Sequence, residues 1–98
     1  MISQSYVPLG YQQIGSGALA SVAPLSVPAT ATDALISVDG TSVGVRWRDD
    51  GTAPTSSIGF LIQGGSAPFL YSGDLRAINF ITQSGGPVLN VAFYKRVG

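Results

Sequence analysis

The 98-residue chain has no cysteine, no histidine and no glutamate. Without cysteine there is no disulfide scaffold, thiolate zinc site or sulfur nucleophile, and without histidine no imidazole base to activate a serine. Charge is scarce too. Five Lys and Arg side chains balance five aspartates, and charged residues form 10% of the chain, against about 25% in an ordinary soluble domain. A balanced chain with a pI near 5.9 lacks the basic face that displaces counterions from phosphates, so nucleic acid is not an expected partner. No apolar run approaches the roughly 18–20 residues of a membrane span, and Met1-Ile2-Ser3-Gln4 has neither the basic nor the apolar region of an export signal. Mean hydropathy is +0.33, with no excess charge to keep copies apart. This composition points to a protein that lives inside an assembly.

What is present reads as short strands. The chain is long enough for one domain only, and its 13 glycines and 6 prolines fall at intervals that cut it into brief segments. Alternation places Ala34, Ile36 and Val38 on one face, and likewise Val43, Val45 and Trp47, with Arg46 and Arg48 opposite. Ile58, Phe60 and Ile62 form a third inward row. Leu89, Val91 and Phe93 form a fourth, with Asn90 facing away. Asp39-Gly40 is a hairpin dipeptide, so 33–38 and 43–48 are expected to pair antiparallel. Asp74 is expected to open a turn before a strand through Ile78–Thr82, and the stretch from Leu19 to Pro28 to form an edge strand because of its prolines. No helical segment of 10–15 residues is visible. The fold class is therefore all-β: a single small β-sandwich or jelly-roll-like domain of about eight short strands with an extended N-terminal arm. Residues 1–18 are read as that arm and 19–98 as the sandwich. An uncharged arm without periodicity needs something to hold it, most simply a neighbouring subunit.

The run Val45-Arg46-Trp47-Arg48-Asp49-Asp50-Gly51-Thr52-Ala53-Pro54-Thr55 is followed by Tyr71-Ser72-Gly73-Asp74-Leu75-Arg76-Ala77-Ile78-Asn79-Phe80-Ile81 and by Leu89-Asn90-Val91-Ala92-Phe93-Tyr94. In that order, across roughly residues 19–94, these segments resemble a group of small tailed-phage virion proteins. Members of that group show RWRDDGTAPT, then Y-x-G-D-L-x-A-I-x-F-I, and close on LNVxYY. Phe93-Tyr94 departs from the closing pair of tyrosines. The resemblance implies a virion structural component, associated with the capsid as decoration or with the head or tail. The arm lies outside the pattern.

The individual residues favour structure over chemistry. Four of the five aspartates sit in or beside turns, where local backbone bonding accounts for them. Asp49-Asp50-Gly51-Thr52 lacks the ligand spacing of a calcium loop, and Asp49 with Asp74 is the only acid/base couple on offer. No enzyme, metal or cofactor is expected. Trp47 is read as filling the core, the other reading being an aromatic platform for a sugar or base. Tyr6, Tyr11, Tyr71 and Tyr94, with Leu35, Leu61, Leu70 and Ile81, put apolar surface on nominally outer faces, which need cover from other subunits or a larger shell. The candidate interface residues are Tyr6, Val7, Pro8, Tyr11 and Ile14 of the arm, with Arg46, Arg48, Tyr71 and Tyr94. The expected function is that of a capsid decoration, or cement, protein. It would bind the phage major capsid protein as a homotrimer at the virion surface, after assembly in the host cytoplasm. The alternatives are a receptor- or carbohydrate-binding module on a head or tail fibre, with Trp47, Tyr71 and the arginines reading a glycan, and a neck or tail structural subunit.

Overall fold

A computed structural model describes residues 5–97. In chain order its elements are β1 (Ser5–Ile14), α1 (Ser16–Leu19), β2 (Ala23–Pro24), β3 (Asp33–Asp39), β4 (Gly44–Arg48), β5 (Phe60–Gln63), β6 (Phe69–Tyr71), β7 (Asn79–Ser84) and β8 (Val88–Val97). Four antiparallel pairs are nested: β1 with β8, β2 with β7, β3 with β6 and β4 with β5. They amount to one long two-stranded ribbon with β4–β5 at its tip. Wrapping the ribbon adds the β3–β8 and β4–β7 ladders, which gives two four-stranded sheets in the orders β1-β8-β3-β6 and β2-β7-β4-β5. Sheet A is the first and sheet B the second. This is an eight-stranded jelly-roll sandwich.

Alternation built the core as the residue pattern implies. Ala34, Ile36 and Val38 of β3 and Leu89, Val91 and Phe93 of β8 are buried from sheet A. Val45, Ile62 and Phe80 meet them from sheet B, with Ile78 and Leu75 from the turn before β7. The short α1 turn places Leu19, which has no exposed surface, under β7. β2 is an edge strand only two residues long, and Pro24 at its end has no N–H to donate. Asp74 opens a turn as expected: its carbonyl accepts the Ala77 and Ile78 N–H groups and its carboxylate that of Arg76.

The ribbon topology corrects three expectations. Segments 33–38 and 43–48 do not form a hairpin, because β3 and β4 lie in opposite sheets. Gly40 at φ 133° and Ser42 at φ 57° turn the chain across the sandwich instead. A Cβ on Gly40 would stand 2.5 Å from Val43 Cγ2, so the turn admits glycine alone. Second, residues 5–14 of the arm lie along β8 of their own chain, from Ser5 opposite Val97 to Ile14 opposite Leu89, with a bulge between Pro8 and Gly10. Their hold is intramolecular, since an uncharged edge strand finds its nearest ladder in the same domain. Residues 1–4 of the arm, and Gly98, fall outside the described residues. Third, Ile62 is buried, but Ile58 and Phe60 are 56% and 67% exposed. Phe60 faces inward opposite Trp47, but this end of the row runs out past the rim of the core.

Candidate functional site

Sheet A has two faces, and its outer one is apolar in the middle. Tyr11, Ala92, Leu35 and Leu70 are register partners in a single row across β1, β8, β3 and β6. Beside that row Pro8 stands opposite Tyr94, and the ring of Tyr6 meets Tyr94 edge-on at 6.3 Å. Tyr6, Leu35, Leu70 and Tyr94 line a shallow hollow of about 150 Å³. Tyr11 and Leu70 are 63% and 45% exposed. The sandwich core covers only the other face of this sheet.

Polar groups flank the apolar row along the strands on both sides. On one side the Tyr11 hydroxyl and Gln13 Nε2 donate to Asn90 Oδ1, and Asn90 Nδ2 donates to Asp39 at 2.8 Å. On the other side sits Asp33, a charged side chain with no exposed surface. The Thr32 hydroxyl donates to it at 2.6 Å, the Ser72 hydroxyl donates to its second oxygen, and Arg96 lies 3.7 Å away. Thr32 also accepts the Arg96 backbone N–H at 2.7 Å, which ties the start of β3 to the end of β8. Burial acts to raise the Asp33 pKa, but the Ser72 and Thr32 hydroxyls and the Arg96 charge outweigh it and hold the carboxyl below its ordinary value of 3.8. An apolar centre with a hydrogen-bonded rim is the anatomy of a protein contact surface.

A second feature lies where β5 and β6, edge strands of opposite sheets, leave the sandwich open. An open groove of about 520 Å³ runs between them, floored by Trp47, Phe60, Ile62 and Phe69 and bordered by Gln63 and Ser66. Trp47 is half-buried instead of filling the core. It stacks at a tilt on Phe60, 5.0 Å between centroids, and meets Tyr71 edge-on at 5.7 Å.

The expected interface residues divide. Tyr6, Val7, Pro8 and Tyr11 are exposed on β1; whereas Val7 stands opposite Lys95 on the other face of the sheet, Tyr6, Pro8 and Tyr11 share the outer face with Tyr94. Ile14 does not: it faces inward opposite Leu89 and is 6% exposed. Nor does Tyr71, at 8% exposed. Its ring points inward opposite Ala34, and its hydroxyl donates to Asp49 at 2.5 Å. Burial, and then the Asp49 carboxylate, push this phenol well above its ordinary value of 10.0, so it stays a donor. Arg46 is spent on the loop that follows β4, donating to the Ser56 and Gly59 carbonyls at 3.0 and 2.8 Å. Arg48 pairs with Asp50 at 2.5 Å. Asp49 and Asp74 both approach Tyr71, but Asp74 does so through its backbone carbonyl.

Residue reasoning missed Asp33, Ala92 and Phe60. Thr32-Asp33 beside a strand start is a local capping signal, but the hydroxyl of Ser72, 39 residues away, has no local signature. Among the described residues no three Asp, Glu, His or Cys side chains gather into a metal-binding group, and no helix is long and apolar enough to cross a membrane. No protein-family model, no curated protein and no solved structure matches the chain.

Proposed function

We propose that this chain is a bacteriophage virion structural protein, a capsid decoration protein that binds the major capsid shell as an oligomer and braces it. The observation that carries this reading is the outer face of sheet A, where Tyr11, Ala92, Leu35 and Leu70 span four strands without a charge. Such a face is left in contact with water in an isolated domain and is removed from it against a flat protein surface. The low charge of the whole chain and its motif resemblance to virion proteins point the same way. Jelly rolls serve as shell and lectin domains alike, so the fold adds only an analogy. Decoration needs no chemistry: each bound copy stabilises the assembled shell by mass action. The glycan-reading alternative relies on Trp47, Tyr71, Arg46 and Arg48; Trp47 lines an open groove, but the polar atoms of the other three are engaged within the domain.

The test is co-sedimentation with matching undecorated capsids. Wild type is expected to saturate the shells, and Leu35→Lys, in the middle of the row, to bind at least tenfold more weakly with an unchanged thermal transition. Wild-type protein that stays in the supernatant at every ratio sinks the proposal.

A further inference from the structure

The ten charged side chains are not spread evenly along the chain. Residues 1–32 carry none, and residues 51–73 carry none. In the fold these two stretches supply β1, α1 and β2 at one side of the sandwich and β5 and β6 at the other. Every charge falls on β3, β4 and β8 or in the loop after β4 and the turn before β7. Both open sides are thus free of the lysines and aspartates with which sheet edges are ordinarily guarded. They are apolar as well. Val7 and Val22 are 44% and 39% exposed on the β1/β2 side, and Ile58, Phe60 and Leu61 are 56%, 67% and 41% exposed on the β5/β6 side.

We infer that these two sides are the halves of one head-to-tail contact, in which the β1/β2 side of a second copy of this chain closes the β5/β6 side of the first. Among the described residues β6 and β1 are the two free edges of sheet A, and β5 and β2 those of sheet B. In a four-stranded antiparallel sheet the two edge strands run in opposite directions. A second copy turned about an axis parallel to the strands therefore sets its β1 antiparallel to β6 of the first, and its β2 beside β5. Its apolar side chains then cover the groove floored by Trp47 and Phe60. Two different patches that fit each other generate a ring when the rotation closes, which suits a trimer. The smallest overall extent is 21 Å, and six strand residues span roughly 20 Å. Such a wall buries roughly 800 Å² counting both partners, below the usual range for a specific pair. An isolated pair is weak, and a closed ring holds because each copy contributes both sides.

This deepens the oligomeric half of the function proposed above, yet it is tested on purified protein without shells, so the two fail separately. Light scattering is run from high-micromolar to nanomolar concentration, with the emission of Trp47, the chain's sole tryptophan, as a direct report on the groove. Wild type is expected to form a ring at high concentration, with emission shifting to the red on dilution. Val7→Asp and Phe60→Asp each spoil one side and are expected to be folded monomers by circular dichroism. Mixed together they are expected to form a one-to-one dimer at the high-micromolar end of the range, where a single weak contact is populated, since one intact side survives on each. Val22→Asp with Leu61→Asp repeats the test should either first variant misfold. A wild type that stays monomeric overturns the inference. So does a single variant that still dimerises with itself, which marks a two-fold contact, or a mixture that stays monomeric.

Discussion

Replacing Asp33 by alanine removes the one charged side chain that lies wholly inside the described surface. Two hydroxyls donate to it, and a hydrogen bond to a charged group contributes about 1.5–3 kcal/mol. The burial is shallow: Ser72 is exposed and Thr32 half-exposed, so both hydroxyls recover water in the variant and roughly half of the gross loss returns. Arg96, at 3.7 Å and with 39% of its side chain exposed, adds little. The expected net cost is about 1.5–3 kcal/mol, a large part of the roughly 5–15 kcal/mol that holds a domain folded. For a chain of this size it lowers Tm by roughly 6–24 °C. Urea unfolding of wild type, Asp33→Ala and Asp33→Asn measures it, with Asn intermediate because its amide accepts from only one hydroxyl. The pH dependence has a definite sign. The native pKa lies below the ordinary value of 3.8, so this stabilisation is full above that value and fades as pH falls through the native one. The gap between wild type and Asp33→Asn is expected to narrow from about pH 6 to about pH 2. A cost under about 0.5 kcal/mol, or a gap that does not move with pH, refutes the account of Asp33 as an ionised clamp.

Three further outcomes follow from the packing. Phe80→Ala removes a side chain with no exposed surface from the centre of sheet B and is expected to cost about 3–5 kcal/mol in chemical denaturation. Gly40→Ala forces a Cβ into Val43 at φ 133° and is expected to cost about 1–3 kcal/mol, whereas Gly51→Ala, with open space around its Cβ, is expected to cost less in the same assay. Tyr71→Phe loses the hydroxyl bond to Asp49, for an expected loss of about 1–2 kcal/mol near neutral pH. Because the native phenol titrates above its ordinary 10.0, wild type sheds this advantage as pH rises past that value, and alkaline melts of the two proteins should converge.

The parts of this fold legible from residues are those with a local cause. Leu89, Val91 and Phe93 alternate with Asn90 and Ala92, and the alternation alone told which face is core. Asp74 opens a turn because its own backbone and carboxylate accept the N–H groups that follow. Asp39-Gly40 misled because a turn dipeptide states that the chain reverses and not which sheet receives it; in a wrapped ribbon β3 pairs with β6. The candidate surface was legible in type but not in membership. Tyr11, Leu35, Leu70 and Tyr94 were visible as apolar residues on outer faces, but their union in one patch depends on the register of β1 against β8. Tyr71 shows the same limit. Its inward position follows from pairing with Ala34, which nothing near Tyr71 in the chain announces.

The nested ribbon has a consequence for synthesis. Tyr11 of β1 and its partner Asn90 of β8 are 79 residues apart, and at roughly 5–20 residues per second the ribosome needs about 4–16 s to make the second after the first. Through that interval β1 has neither neighbour nor charge, and only Pro8 and the bulge that follows it interrupt its pairing edge. β8 lies between β1 and β3 in sheet A, so a nascent chain halted before Val88 leaves both without the strand that joins them. Sheet A therefore closes only after translation has passed β8, and overexpression at lower temperature, where nascent chains associate less readily, should raise the soluble yield.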